Sequence, residues 1–298
     1  MDQQVQQFKR LFRGRGDVWG HDEGRCVKEK LVDEHWADHL AGRSGIGIYP
    51  AVPVPDGRVL CAWGCTDIDI EDYDRALLLQ ETLAQVDING FIERSRSKGY
   101  HVWIFANRPV SATDMRNMQL AAHQVADIPP IEVNPKQTDV TLGKYGNYVR
   151  LPYFGGLVET PARRVVLDGR GEPMPLEHFL DEAERFTTDA DTITNVAALY
   201  QPPKQQAVQI DMSQLDEDIG SVLRNISSLG YVIWRDGPLE GNDRSRTLMR
   251  LSHLCRDSGL TPSQAVVVVR DADRRWGKFY DRTDAEEQYT NMVTRAYA

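Results

Sequence analysis

Between residues 45 and 151 the apolar pattern alternates between a two-residue and a 3.6-residue period, and the order of the changes constrains the fold more than any single motif does. Residues 45–50 and 59–70 read as strands, and 73–86 as an amphipathic helix. Two further strands, 91–94 and 100–105, are joined across residues 95–99. Ser111, Ala112, Thr113 and Asp114 open a helix over 115–125, and 131–133 and 147–151 are short strands. Strand, helix, strand, strand, helix, strand is a split βαβ arrangement, so the chain is α/β in the α+β sense.

The pattern changes character downstream. The periodicity weakens from residue 187, and "YQPPKQQ" (200–206) reads as a linker. Beyond it, helices are expected over 215–226, 245–255, 261–269 and 285–296, with Pro262 at the first position of the third. The expected organisation is a catalytic domain over 1–186, a linker over 187–212 and a small all-α helical bundle over 213–298.

With 41% hydrophobic and 27% charged residues, the composition is that of a globular protein. No apolar run is long enough to span a bilayer, and the first residues lack a signal-peptide core, so no membrane partner is expected. Cys26, Cys61, Cys65 and Cys255 form no CxxC pair, which suits a reducing cytoplasm, bacterial or that of a phage-infected host. A zinc site from His21, Cys26, Cys61 and Cys65 has irregular spacing and stands against plain thiols. The net charge of -9 argues against a non-specific nucleic-acid coat, but leaves open an enzyme with one basic groove.

"CTDIDIED" (65–72) places acids at the end of the apolar strand 59–70. Strand alternation puts Asp67 and Asp69 on one face, where neighbouring carboxylates repel unless a cation joins them. Oxygen-only ligands favour Mg²⁺ or Mn²⁺. A strand end with solvated acids is the alternative. A phosphatase-like DxD is another, with Glu71 standing where a small polar residue is wanted. In "ERSRSKGYHVWIF" (93–105), Ser95, Ser97, Lys98 and the backbone at Gly99 are donors beside His101, suited to a triphosphate or to an ordinary hairpin turn. Glu132 stands on a short apolar strand, Lys136 follows a proline turn, and Arg150 lies on the next strand. Three acids from two strands, with Lys98, His101 and Arg150, are a set that two-metal nucleotidyl transfer would use.

These residues, in this order, resemble the archaeo-eukaryotic primase superfamily, in particular primase-polymerases of phages, plasmids and conflict systems. Its DxD motif matches Asp67-Ile68-Asp69, and its serine, basic glycine turn and phosphate-binding histidine match Ser95 to His101. Its third acid falls on Glu132, in place of the commoner aspartate, and its nucleotide-binding arginine on Arg150 in "NYVRLPY". "LFRGRGDVWG" (11–20) and "HLAG…GIGIYP" (39–50) extend the likeness upstream, and Arg13 and Arg15 could reach template phosphates. The resemblance implies an RRM-like catalytic core with an N-terminal α/β unit.

The region "RSRTLMRLSHLCRDSGLTPSQA" to "RDADRRWGKFYDR" resembles helical primase C-terminal modules. Arg244, Arg246, Arg274, Arg275 and Trp276 there could bind single-stranded template, or form a solvated face with Trp276 in the bundle core. The implied activity is DNA-dependent primer synthesis and extension from NTPs or dNTPs. The alternatives are a polymerase that only extends primers, an inactive nucleic-acid-binding module and a metal-dependent nuclease. No GxxxxGK[ST] is present, so the likeness implies a replicative helicase supplied in fusion or separately.

Overall fold

The computed structural model describes residues 2–68, 70–130, 132–156, 163–202, 208–211, 214–238 and 243–297. The chain divides into Met1–Gln201 and Pro202–Ala298, each with its own apolar core. In chain order the first unit holds α1 (Asp2–Leu11), β1 (Trp19–His21), β2 (Cys26–Val27), α2 (Asp33–Leu40), β3 (Ile46–Ile48), β4 (Val52–Pro53), β5 (Val59–Ile68) and α3 (Tyr73–Ala84). It continues with β6 (Gly90–Arg94), β7 (Tyr100–Ser111), α4 (Ala112–Val125), β8 (Glu132–Asn134), β9 (Val149–Arg150), β10 (Val165–Val166), α5 (Leu176–Arg185) and α6 (Ala190–Ala197).

The expected split βαβ unit is β5-α3-β6-β7-α4-β8, and its strands pair antiparallel in the spatial order β6-β7-β5-β8. That is the order of an RRM-like sheet. β10 extends it beyond β6, and β4 pairs with the start of β5 while β8 pairs with its end. Side-chain caps set the helix starts: Asp72 accepts from the amide of Arg75, and Ser111 from that of Thr113.

The two faces of β5 have different covers. Gly64 and Thr66 face α4; a Cβ on Gly64 would lie 2.5 Å from Gln119, and Thr66 Oγ1 donates to Gln119 Oε1 at 3.2 Å. The opposite face carries Trp63 and Cys65, with Phe105 and Trp103 beside them on β7 and Phe91 on β6. Phe12, just past α1, meets Trp103 edge-on at 5.1 Å, and Phe179 of α5 meets Phe91 at 5.7 Å. The apolar end of this face is therefore sealed by aromatic packing, and its far end is left for polar side chains.

A second antiparallel sheet, β2-β1-β3-β9, forms the N-terminal α/β unit with α1 and α2. It takes its last strand from beyond the RRM-like core. Gly20 and Gly47 pair directly, and a Cβ on either would lie within 2.4 Å of the Tyr148 ring. The two glycines let that ring lie flat on the sheet.

The expected linker over 187–212 is corrected at its start. Residues 190–197 form α6, capped by Asp189, because Ala190, Ile193 and Ala197 at helical spacing bury beside α4.

The second unit holds α7 (Ile219–Leu223), α8 (Ser228–Asp236), α9 (Arg244–Asp257), α10 (Pro262–Trp276) and α11 (Ala285–Tyr297). Thr261 and Gln264 form a reciprocal capping box at the start of α10. The helix expected over 215–226 shrinks to α7 because Asp218 caps it internally. α8 escaped the sequence pattern, since Gly230 and the β-branched Val232 and Ile233 weaken its helical signal. Asp273, fully buried, accepts from the amides of Lys278 and Phe279 and from the Tyr289 hydroxyl, each at 2.8 Å, and so closes the turn after α10.

Candidate active site

Antiparallel register aligns Glu132 with Asp67, Asp67 with His101, and His101 with Glu93. These four polar side chains form one row across β8, β5, β7 and β6, one step beyond the aromatic rows. Side chains directly opposed in such a pair lie about 5 Å apart, so Asp67 and Glu132 repel unless positive charge sits among them. Lys136 Nζ donates to Glu132 Oε2 at 3.2 Å, and His101 Nε2 lies 3.8 Å from Asp67 Oδ1. Asp69, the second acid of the motif, lies outside the described residues.

Glu93 is 1% exposed, and its Oε2 accepts from His101 Nδ1 at 2.8 Å and from Trp103 Nε1 at 2.7 Å. A buried carboxylate with two donors is satisfied, and it fixes the plane of the imidazole so that Nε2 turns toward Asp67. Sequence reading passed over Glu93. The available signal was its alternation with Phe91 on a buried strand, the same argument that singled out Asp67.

The basic turn follows β6. Ser95 N donates to Gly99 O at 3.0 Å, and Ser95 Oγ to Lys98 O at 2.5 Å, so the Ser95 hydroxyl is spent on holding the turn. Ser97 and Lys98 are exposed at its tip. Gly99 has φ +76°, and its amide donates to Glu71 Oε2 at 3.2 Å. Glu71 also pairs with Arg163 at 3.3 Å and Arg94 at 3.6 Å. The Gly99 amide, followed by Arg163 and Arg94, holds the Glu71 carboxyl below the usual carboxylate range.

A cleft of about 320 Å³ opens over the row. It brings together Asp67, Glu132, Ser95, Ser97, His101 and Arg150. Lys98, Gly99 and Lys136 stand outside its lining. Its far wall, with Tyr148 and Arg150, comes from the smaller sheet. Asp22, just past β1, meets Arg96, Arg150 and Arg164 at 3.4, 3.5 and 3.2 Å. Burial lowers the pKa of Arg164, and Asp22 opposes that shift. Sequence reading missed Asp22, Arg96 and Arg164, because no local period connects them. Arg116 supports β8 from α4, donating to Val133 O at 2.6 Å.

The residues expected at a template divide into two groups. Arg15 is corrected: at 2% exposed it pairs with Asp17 at 2.6 Å, donates to Thr141 O at 2.7 Å and Leu142 O at 3.1 Å, and lies over Tyr145. It ties the chain after α1 to the loop before β9 and presents nothing to a phosphate. Arg244 donates to the carbonyls of Trp276 and Gly277, and Arg275 to those of Trp234 and Arg235, each satisfying a helix C-terminus. Trp276 is half-buried against the bundle core. Arg13 likewise donates to Arg10 O at 2.9 Å in the last turn of α1, and Arg246 and Arg274 remain exposed.

Among the described residues, no three His, Cys, Asp or Glu side chains gather as a metal-binding group. The described part of the expected set is the oxygen pair Asp67 and Glu132, donors that fit a hard divalent cation such as Mg²⁺ or Mn²⁺. Burial pushes the thiols of Cys61 and Cys65 up, against a thiolate role there.

The family model for the archaeo-eukaryotic primase domain of TOTE conflict systems matches residues 24–190. No curated protein matches the chain. Among solved structures the chain is similar to the primase RepB', at 12% identity over 99% of this chain and 93% of that one, with a TM-score of 0.31. It is similar too to the polymerase domain of Mycobacterium tuberculosis Ligase D in complex with DNA, at 15% identity over 60% of this chain and 70% of that one, with a TM-score of 0.28.

Proposed function

Because that match spans more than half its length, the chain belongs to the archaeo-eukaryotic primase domain family of TOTE conflict systems, and on this premise we propose that it is a primase-polymerase that makes and extends primers on single-stranded DNA. The observation that carries the reading is the row Glu132, Asp67, His101, Glu93 beside a serine- and lysine-tipped turn. A row of three carboxylates and one imidazole across adjacent strands, two of the acids side by side and open to a cleft, suits phosphate chemistry better than it suits folding.

In this reading Asp67, Asp69 and Glu132 would hold Mg²⁺ or Mn²⁺, which would supply charge neutralisation at the phosphates and acidify the attacking 3′-hydroxyl. His101, oriented by Glu93, offers Nε2 to a phosphate oxygen. Ser97, Lys98 and Arg150 bind the rest of the triphosphate, and Ser95 and Gly99 keep the turn in shape for it. Fixing the phosphates relative to the primer end lowers the entropic part of the barrier. Arg246 and Arg274 are the template contacts that remain after the buried arginine and the capping ones, Arg13 included, are set aside.

The test is primer synthesis on circular single-stranded DNA, with labelled ribo- and deoxynucleotides and Mg²⁺ or Mn²⁺, beside an Asp67→Ala/Asp69→Ala control. Short products from the native chain alone support priming. Extension restricted to a primed template selects the extension-only polymerase. Silence on both templates removes the catalytic reading.

A further inference from the structure

Asp22 lies within 3.5 Å of three guanidinium groups carried by separate segments: Arg96 in the β6–β7 turn, Arg150 on β9 and Arg164 before β10. Arg164 is held tightly: it is 9% exposed, Nη1 donates to Asp22 Oδ2 at 3.2 Å and Nη2 to Leu151 O at 3.1 Å, and Glu93 also attracts its charge. Glu71 stands apart from this group, engaged by Arg94 and Arg163. The backbone joins in, since Asp22 O accepts from Arg96 Nη1 at 3.2 Å and Arg150 Nε at 3.3 Å. Each of these two arginines is thus gripped by a single nitrogen, and its other nitrogens make no hydrogen bond among the described residues. All three arginines line the cleft over the polar row. Asp22 Oδ2 accepts from Arg164, while Oδ1, buried, receives no hydrogen bond among the described residues and meets Arg96 and Arg150 through charge.

We propose that Asp22, itself anchored by the buried Arg164, is a positioning residue that gathers Arg96 and Arg150 into a cradle for the triphosphate of the incoming nucleotide. The proposal rests on the polymerase reading above and adds to it three residues, Asp22, Arg96 and Arg164. The ligand class follows from what the two guanidinium groups leave open: Arg96 and Arg150 line the cleft with nitrogens that make no hydrogen bond among the described residues, and a multivalent anion can reach from one to the other. A nucleoside triphosphate is such an anion, with planar oxygen edges that guanidinium forks match.

The experiment is extension of a primed template with varied deoxynucleotide, using inorganic tripolyphosphate as competitor, for the native chain and for Asp22→Ala, Asp22→Asn and Arg96→Ala. The expected result is a rise of about tenfold in nucleotide KM and in the tripolyphosphate Ki for Asp22→Ala and Arg96→Ala, as for loss of one charge-assisted hydrogen bond, with kcat within about threefold. Asp22→Asn, which keeps an oxygen acceptor, should fall between. A fall in Ki for the Asp22 variants would mean that the carboxylate competes with phosphate, and overturns the proposal. Constants within about twofold of native for Arg96→Ala overturn it too, and this variant decides the matter if the Asp22 variants fail to fold, because Arg96 is 56% exposed. A native chain that neither extends primers nor responds to tripolyphosphate sinks the polymerase reading itself. A native chain that extends normally, beside unaffected variants, sinks only the cradle.

Discussion

Replacing Gly99 by alanine tests whether the basic turn and the acidic strand are one mechanical unit. Gly99 has φ +76°, and a Cβ there would stand 1.9 Å from Ile68 O and 2.9 Å from Ile70 N. A relaxed C···O contact is about 3.3 Å, so the turn and the end of β5 must part by more than about 1 Å. The left-handed backbone alone costs about 1 kcal/mol for alanine, and forced overpacking adds about 1–3 kcal/mol. Gly57 and Gly24 separate the two terms. Both have positive φ (+84° and +89°), and a Cβ on either meets nothing within 4 Å, so their alanine variants carry the backbone cost alone.

Urea unfolding should therefore place Gly99→Ala about 2–4 kcal/mol below native and the other two about 1 kcal/mol below. Because the displaced atoms adjoin Asp67, primer extension should drop about a hundredfold for Gly99→Ala, the usual effect of a 1 Å misplacement, and stay near native for Gly57→Ala. If Gly99→Ala unfolds with Gly57→Ala and extends primers at native rate, the coupling of turn and strand is wrong.

Four further outcomes follow from which side chains are engaged and which are exposed. Burial pushes His39 down to about 4, as Nε2 donates to Pro152 O and Nδ1 accepts from Ile46 N. The unfolded chain then binds the extra proton first as pH falls below about 6.5, so this contribution is complete above that pH and is lost toward pH 4. About 2 kcal/mol should be missing at pH 5, read as a lower urea midpoint that His39→Gln flattens against pH. Arg15→Ala should cost about 2–3 kcal/mol by urea unfolding, with single-stranded DNA affinity of the folded chain unchanged. Arg246→Ala and Arg274→Ala should instead leave stability alone and each reduce the salt slope of DNA binding by about 0.7 in fluorescence anisotropy. Glu93→Leu should cost about 1–3 kcal/mol, because it strands the buried Trp103 N–H, and should depress extension; Glu93→Gln, which keeps an acceptor, should retain most of both.

What could be read from the sequence was local. Period-two alternation places Asp67 beside the Trp63 and Cys65 face, and the same rule applied to 91–94 would have placed Glu93. The glycine turn was legible because serine, lysine and glycine within five residues have few other uses. What escaped was set by contacts between distant segments. Asp22 and Arg164 are 142 residues apart, and Arg15 and Thr141 are 126 apart. No periodicity reports such a pairing. Nor does composition: a net charge of -9 coexists with three arginines lining one cleft, because total charge carries no information about where the cations gather.

The "FRGR" segment shows why a basic motif is a poor guide to contact. Arg13 and Arg15 are two residues apart with one glycine between them, yet Arg13 is exposed and Arg15 is sealed under Tyr145. The intervening glycine explains the divergence. A Cβ on Gly14 would lie 2.4 Å from Tyr49 O, so the chain here passes against β3's exit, and the amide of Arg15 donates to that same carbonyl at 3.0 Å. With the backbone pinned there, one arginine points outward and the next is directed into the protein, where Asp17 and two carbonyls hold it. Arg13, though exposed, also turns back on the fold, its Nη1 donating to Arg10 O at 2.9 Å in the last turn of α1, so both basic residues of the segment are engaged with the chain itself.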